Sequence, residues 1–455
     1  MSASNNLRRA TTILNLTEYI DILPEIDGES DQEIGELVRE IADITEQIEA
    51  KGTAIQNPNK LLRSRQRRRL EQAMLHRIQR KQDAQEASLA RRHEHKKVLQ
   101  SSIAFIGGIH NHLIHVRDNR FSPTTAAEFG LPLIQTPTEL ANAMNISIKE
   151  LHFLVYHRTL STTSHYQTFR IPKKTGGFRT ISAPMPRLKS AQYWIQQNIL
   201  SKIPTLECVH GFVPGRSIVT NATPHIHQDV VINLDIKDFF PSITESQVIT
   251  IFQKIGYPVN IAVLLARLCT MPIEHRVQLD GQDFILCMNE RILPQGAPTS
   301  PSLSNHAFAI ADQEFMQICA SHNLQYTRYA DDLTFSGTVD TENIGSFLFA
   351  VRSVIKRHNF TEHPSKTRIM RKGRRQEVTG IVVNEKLNLD RIALMKFRAF
   401  LHHIDQNGLD GAYWNGTAGL LDKMMGFACF VCMVHPTKGE KLLATAKKIA
   451  QNLRM

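Results

Sequence analysis

The chain of 455 residues carries a formal net charge of +11 at neutral pH and has a sequence pI near 9.4. This length allows two or three domains, and the basic surplus suits a polyanionic partner, although a basic globular protein with no nucleic-acid role would have the same charge. The six cysteines are scattered, which indicates a reducing compartment, and no apolar run approaches the length of a membrane span. Because no signal peptide is recognisable either, we predict a cytoplasmic protein without a membrane partner.

Two segments of opposite charge dominate the first 130 residues. Residues 18–50 are acidic, with Arg39 as their only basic residue, and residues 60–97 are rich in arginine. An apolar seam with coiled-coil spacing runs through the acidic segment at Ile34, Leu37, Ile41, Ile44 and Ile48. We predict a helical extension over 1–130, with an antiparallel hairpin of complementary charge and a connector over 98–130. Its basic face is expected either to bind nucleic acid or to dock a protein, including another copy of the chain.

An acidic residue follows the most strand-like run of the chain. Residues 230–234 are apolar and rich in β-branched side chains, which predicts a buried strand, and Asp235 comes directly after them. Ser242 and Glu245 have the spacing of a capping box, so a helix is predicted to begin there. Asp235 alone is equally typical of a residue that caps the end of a strand.

The next informative segment is the loop over residues 293–305. Pro294, Gly296 and Pro298 make it stiff, and Ser300 followed by Pro301 predicts the N-cap and first turn of a helix. By composition this is only a junction between a loop and a helix. Its place between two acidic motifs favours a role in substrate binding.

The second acidic motif lies within residues 326–337, where two short β-prone runs flank Asp331 and Asp332. This pattern predicts a tight hairpin with both carboxylates at its turn. Adjacent carboxylates are often solvated turn residues, but they also hold cations. Together with Asp235 they would provide three converging carboxylates, which suit two hard divalent ions. Two such ions activate an attacking hydroxyl and stabilise a leaving pyrophosphate in phosphoryl transfer.

The order of these motifs resembles the palm of reverse transcriptases, and the resemblance extends over residues 131–455. Asp235 matches the first palm aspartate, and residues 329–332 match the Tyr-x-Asp-Asp signature. Residues 293–296 match the loop beneath the incoming nucleotide, and residues 173–184 match the fingers motif that binds the triphosphate. The resemblance implies an α+β right-hand polymerase preceded by the α-helical extension. Its predicted divisions are fingers and preceding helices over 131–229, palm over 230–385 and helical thumb over 386–455.

The resemblance also implies roles for individual residues. Asp235, Asp331 and Asp332 are expected to be catalytic, and two Mg²⁺ ions are expected to bind at Asp235, Ile236, Asp331 and Asp332. Lys366 matches the lysine that protonates the leaving pyrophosphate. The residues implied in nucleotide binding are Lys173, Arg179, Phe240, Gln295 and Gly296. Phe240 stands at the position of the steric gate, the aromatic that excludes a ribose 2′-hydroxyl.

Two short elements make the chain most similar to the bacterial retron reverse transcriptases. Residues 221–225 fit the Asn-Ala-x-x-His element, and residues 378–380 fit the Val-Thr-Gly element. A His-Gly-Phe sequence at residues 210–212 also appears in retron and group II intron relatives. The residues implied in RNA binding are Asn221, His225, Val378, Thr379 and Gly380.

A retron enzyme would bind its cognate non-coding RNA and copy part of it from dNTPs into a branched RNA–DNA molecule (msDNA). The resemblance further implies a bacterial cytoplasmic location, a separate effector protein and a role in anti-phage defence. The chain could also form an oligomer through its N-terminal helices. Two alternatives stay open. One is a group II intron-like or other prokaryotic reverse transcriptase, and the other is a structural RNA-binding scaffold that holds an effector inactive.

Overall fold

The computed structural model describes Asp43, residues 58–101 and residues 103–453 apart from 104, 116–120, 174–175, 339–343, 415 and 417–418. The chain divides into two units, residues 1–96 and 97–455. Of the helices that the structure describes, none is both long and apolar enough to cross a membrane.

One long helix, Pro58–Ser101 (α1), makes up most of the described part of the first unit. Proline at the first helical position and a long run of arginine, glutamine, alanine and leucine favour this structure. The predicted basic helix is therefore present. Every side chain described within it is exposed, including Leu70, Met74 and Ile78. The acidic half of the predicted hairpin, apart from Asp43, lies outside the described residues.

The second unit is built around a four-stranded antiparallel sheet, which we call the central sheet. Its strands are Val230–Asp235 (β4), Leu324–Tyr329 (β7), Asp332–Gly337 (β8) and Arg368–Arg371 (β9). Their order across the sheet is β7-β8-β4-β9. The β4 strand is buried at all but one position, as its continuous apolar run predicts. Four helices form a connected group: Glu245–Lys254 (α7), Val259–Cys269 (α8), Ser300–Ser321 (α9) and Ile344–Arg357 (α10). α9 packs against β7 and contacts both α7 and α10, and α8 packs against α7.

Two smaller sheets come before the turn into α9. Tyr166–Pro172 (β2) and Phe178–Pro184 (β3) form an antiparallel hairpin that carries most of the fingers motif, and we call it the fingers hairpin. Leu160–Ser161 (β1), Met271–Leu279 (β5) and Gln282–Ile292 (β6) form a three-stranded antiparallel sheet. Five helices of this unit precede β4 in the chain: Pro123–Glu128 (α2), Pro137–Ala143 (α3), Ile148–Val155 (α4), Pro186–Asn198 (α5) and Ile218–Ala222 (α6).

The helices α7 and α9 do not have the N-caps predicted from the sequence, which were Ser242 and Ser300. The N-cap of α7 is Thr244, whose side chain accepts from the backbone of Gln247 in a complete capping box. Glu245 is instead buried beside Arg267. The N-cap of α9 is Thr299, and Ser300 is the first helical residue.

The connector predicted over 98–130 packs into the second unit. Ile103 and Ile106 are buried in its main core, and the Arg267 guanidinium donates to the carbonyls of Ile106 and Gly107 at 3.4 and 2.9 Å. The two structural units meet at Lys97, and a buried arginine and buried isoleucines hold this segment against α8.

The C-terminal part is helical, as predicted. Its helices are Arg391–Asn407 (α11), Leu420–Val434 (α12) and Pro436–Asn452 (α13), and they share a core of their own. A two-stranded hairpin of Glu377–Val378 (β10) and Ile381–Val382 (β11) precedes them. A third apolar cluster joins this hairpin to α6, α11 and α12.

Candidate active site

Three carboxylates meet where the central sheet ends. Asp235 is the last residue of β4 and lies opposite Asp332, the first residue of β8. Ala330 and Asp331 form the two-residue turn between β7 and β8, and the Ile236 amide donates to the Asp331 carbonyl at 3.0 Å. Ala330 has φ of 58°, a left-handed conformation that costs energy for a residue other than glycine and is often found at functional sites. Strand pairing therefore brings Asp235, Asp331 and Asp332 to the same end of the central sheet.

The electrostatics of this cluster favour a cation. Burial and the charge of Asp235 raise the pKa of Asp331. Burial and the charges of Asp331 and Asp235 raise the pKa of Asp332 to about 7, although part of its side chain is open to solvent. The Lys366 ammonium lies 2.8 and 2.9 Å from the two Asp235 oxygens and supplies part of the missing positive charge. Burial is the largest cause of both raised pKa values, and repulsion among the carboxylates adds to it.

The donor set fits the predicted divalent ions in its chemistry. Carboxylate oxygens are the ligands that Mg²⁺ prefers, and Ile236, whose side chain is apolar, can contribute only its backbone carbonyl. Within the described residues, no three histidine, cysteine or carboxylate side chains already surround one point. Lys366 occupies both oxygens of Asp235 in this arrangement, so a cation bound there would compete with the lysine.

A buried arginine supports the turn formed by Ala330 and Asp331. Arg328 and Asp312 are both fully buried, and two guanidinium nitrogens of Arg328 donate to the two Asp312 oxygens at 2.8 and 2.7 Å. The third nitrogen donates to the Ala330 carbonyl at 3.1 Å and to the Asn305 side-chain oxygen at 3.0 Å. The guanidinium also lies over the Phe308 ring, 4.9 Å from its centroid. This network, which we call the Arg328 network, ties the turn to α9.

The segment before Phe212 packs directly against the same turn. The His210 amide donates to the Arg328 carbonyl at 2.8 Å, and Asn305 donates from its side chain to the Gly211 carbonyl at 2.9 Å. A Cβ at Gly211 would overlap the Ala330 backbone nitrogen. Glycine is therefore required at 211 by the close approach of two backbones.

The hairpin that carries the fingers motif contacts the loop before α9, and both contain residues predicted to bind the nucleotide. The Ser182 amide on β3 donates to the Gln295 carbonyl at 2.8 Å, so the fingers hairpin and the loop before α9 are bonded together. Gly296 has φ of 125°, and a Cβ there would lie 2.9 Å from Ile181 Cγ2. Arg179 is exposed on β3 and its charge lowers the pKa of Asp331, which places this cation within electrostatic range of the carboxylates. Lys173 is exposed at the hairpin end.

Phe240, the predicted steric gate, is partly buried beside the core. Its ring centroid lies 5.7 Å from that of Phe239 and 6.1 Å from that of Phe212. Phe239 is itself 3% exposed and packs on Phe308 and Phe360. Phe240 therefore packs on the main core, with Phe239 as its buried aromatic neighbour.

The two retron elements lie next to each other, but most of their predicted RNA-binding side chains are buried. Asn221, His225 and Val378 have no exposed surface. The ring nitrogens of His225 lie 2.6 and 2.7 Å from hydroxyls on β8 and β7, and the side-chain amide of Asn221 has no hydrogen-bond partner within the described chain. These three side chains are thus turned inward and need another explanation than direct RNA contact. Thr379 and Gly380, at the turn between β10 and β11, are open to solvent in part, and RNA contact stays a prediction for them.

Sequence reasoning missed the Arg328 network. The available signal was a charged residue inside each of two apolar elements. Arg328 interrupts the strand before Tyr329, and Asp312 interrupts the helical face that contains Phe308 and Phe315. Buried charges of opposite sign in neighbouring elements commonly form a pair.

Comparisons with known proteins agree with this geometry. Residues 171–383 match the family model described as reverse transcriptase (RNA-dependent DNA polymerase). The chain is 34% identical to the retron Mx162 reverse transcriptase of Myxococcus xanthus, over 80% of this chain and 78% of that protein. It is 36% identical to the retron Mx65 reverse transcriptase of the same organism, over 73% and 76% of the two chains. It is 30% identical to the retron Ec86 reverse transcriptase of Escherichia coli, over 70% of this chain and 91% of that protein. The chain therefore belongs to the retron reverse transcriptases, and it is an RNA-directed DNA polymerase with the predicted right-hand polymerase fold.

Proposed function

We propose that this enzyme binds a cognate structured non-coding RNA and copies part of it into DNA, which yields a branched RNA–DNA molecule (msDNA) used in anti-phage defence. The observation that carries this proposal is the similarity of most of the chain to proteins named as retron reverse transcriptases. The proposed divisions are an extension over 1–130, fingers over 131–229, palm over 230–385 and thumb over 386–455. The protein would act in the bacterial cytoplasm.

The three carboxylates would carry the catalysis. Asp235, Asp331 and Asp332, with the carbonyl of Ile236, would hold two Mg²⁺ ions, which is supported by the raised pKa values of Asp331 and Asp332. Such ions activate the primer hydroxyl and stabilise the leaving pyrophosphate. Lys366 lies beside Asp235 with its ammonium partly exposed, so it is placed to donate a proton to the leaving group.

The incoming dNTP would bind between the fingers hairpin and the loop before α9. The exposed cations Lys173 and Arg179 would contact the triphosphate, since paired cations suit its charge. Gln295 and Gly296 would lie beneath the base pair, where the bond from Ser182 to Gln295 fixes the loop. Phe240 would fill the space of a ribose 2′-hydroxyl.

The RNA would be recognised in part by Thr379 and Gly380. Asn221, His225 and Val378 would support this turn from inside, because the apolar cluster of Val378 includes residues of α6 and α12. The protein would also bind a separate effector. We propose that the exposed charged helix α1 binds that effector or a second copy of the chain. The alternative role of α1 is to contact the RNA or its DNA copy.

The proposal is tested by expressing the chain with the RNA gene next to its own and isolating the DNA product. The expected product is DNA joined covalently to RNA and released by an enzyme that cleaves 2′,5′ branches. DNA with a free 5′ end would contradict the retron mechanism and favour an intron-like or other prokaryotic reverse transcriptase. An inverted-repeat RNA gene immediately upstream favours the retron, whereas a surrounding intron favours the first alternative.

The scaffold alternative makes a different prediction. If the protein only holds an effector inactive, protection against phage will survive loss of DNA synthesis. If DNA synthesis is required, protection and the branched product will be lost together in a variant that still binds its RNA.

A further inference from the structure

We infer that Phe212 is a second specificity-determining residue, which holds the Phe240 ring in place and so helps this enzyme select deoxynucleotides. The inference rests on the proposed role of Phe240 as the steric gate. A gate can reject one extra hydroxyl group only if its ring cannot move aside, so the residues that contact the ring also set the selectivity.

Phe240 has an asymmetric aromatic environment. On one side its ring neighbours Phe239, which is 3% exposed and fixed by other core aromatics. On the other side its neighbour is Phe212, whose side chain is 44% exposed and whose ring centroid lies 6.1 Å away at an interplanar angle of 50°. Removal of Phe212 would therefore leave one side of the gate open to solvent without disturbing the buried neighbour.

The backbone of Phe212 is held with unusual firmness for an exposed residue. Phe212 has φ of 62°, which is an uncommon conformation for an aromatic residue and must be imposed by its surroundings. The preceding Gly211 lies against the backbone of Ala330 in the catalytic turn, and its carbonyl accepts from the side chain of Asn305. Asn305 also accepts from Arg328, so the Phe212 segment and the catalytic turn share one buried support.

A positioning role for Phe212 accounts for an exposed phenylalanine held with a positive φ next to the Phe240 ring. An aromatic pair of this kind contributes a modest interaction beyond the area it buries. We expect Phe212→Ala to relax discrimination between dGTP and GTP by about 3- to 10-fold, which is the range of that interaction. Phe240→Ala, which removes the gate itself, should relax it by tens-fold or more.

The experiment measures kcat/KM for dGTP and GTP on one RNA template for the full chain and its variants. Phe212→Tyr keeps the ring and should keep the normal ratio. Phe349→Ala removes an aromatic that is 74% exposed on α10 and serves as the matched control. In a Phe240→Ala background, Phe212→Ala should add no further relaxation, since the ring that it holds is gone.

A purely structural role would lower kcat/KM for both nucleotides equally, and a role in stacking on the template would do the same. An unchanged ratio in Phe212→Ala, or effects that add fully to those of Phe240→Ala, would overturn the inference while leaving the gate assignment intact. If Phe240→Ala itself leaves the ratio unchanged, the proposed gate is wrong and this inference is lost with it.

Discussion

The Arg328 network leads to a prediction in which stability and catalysis separate. Arg328→Met removes a fully buried cation and leaves the Asp312 carboxylate buried without its partner. Breaking one side of such a pair costs about 3–5 kcal/mol in the free energy of unfolding. The Tyr326 hydroxyl, which donates to Asp312 at 2.7 Å, remains but does not supply charge. We expect a loss of this size in urea unfolding.

The double variant Arg328→Met with Asp312→Leu removes both charges. Replacing a buried ion pair with apolar side chains of similar volume is often neutral, but the buried Tyr326 hydroxyl then loses its acceptor on Asp312, so we expect only part of the lost stability to return. The carbonyl of Ala330 and the side chain of Asn305 still lose their donor. Since a displacement of about 1 Å at reacting groups costs on the order of 100-fold in rate, we expect kcat to stay about 10- to 100-fold below normal.

The assays are urea unfolding and single-nucleotide extension on an RNA template, performed on the same protein samples. Arg357→Met, which breaks an ion pair between Arg357 and Glu314 that is partly open to solvent, is the control and should cost no more than about 1 kcal/mol. Full recovery of kcat in the double variant would refute the view that Arg328 positions the turn. A loss of stability no larger than that of Arg357→Met would refute the buried-pair argument.

Two further predictions concern acid stability and the N-terminal helix. Burial, followed by the charge of His210, lowers the pKa of His225 to about 3. Below pH 6.5 the unfolded chain therefore binds a proton that the folded chain does not. The contribution of His225 to the free energy of unfolding should be complete above pH 6.5 and fall by up to about 1.4 kcal/mol per pH unit towards pH 3. His225→Gln should show a shallower decline in urea unfolding between pH 6 and 4, and an equal slope would contradict this. Replacing the four arginines at 65 and 67–69 with glutamine should change co-purification or particle mass and leave RNA affinity unaltered if α1 docks protein. If all four arginines contact phosphates, the same change should instead make the log–log salt dependence of RNA binding shallower by up to about 3 units.

Some parts of the site could be predicted from sequence because they depend on local patterns. The apolar run before Asp235 and the β-prone runs around Asp331 and Asp332 each determine their own strand, and pairing in the central sheet then brings the carboxylates together. The order of motifs was sufficient to indicate a polymerase. The starts of α7 and α9 were misplaced, because Thr244 and Thr299 cap these helices next to other residues that are equally suitable.

Other parts depend on contacts between residues far apart in the chain, which spacing does not reveal. The burial of Asn221 and His225 follows from their packing behind β7 and β8, and their sequence resembles an exposed polar motif. The bond from Asn305 to Gly211 joins positions that no periodic pattern connects. Residues 98–130 were predicted to be a connector because they contain Gly107-Gly108 and Ser122-Pro123, yet Ile106 is buried in the core and Arg267 donates to the carbonyls of Ile106 and Gly107.

The most direct test of the account is primer extension on an RNA template by the variant Asp331→Asn with Asp332→Asn. The substitutions remove two negative charges and nearly preserve shape, so folding and RNA affinity should be retained. Asp280→Asn, in the turn between β5 and β6, is a control with the same chemical change outside the site. We predict that extension falls by about 1000-fold or more in the double variant, because charge stabilisation by bound metal is lost, and that the control stays normal. Extension near the normal rate by the double variant would contradict the assignment of this carboxylate cluster as the polymerase active site.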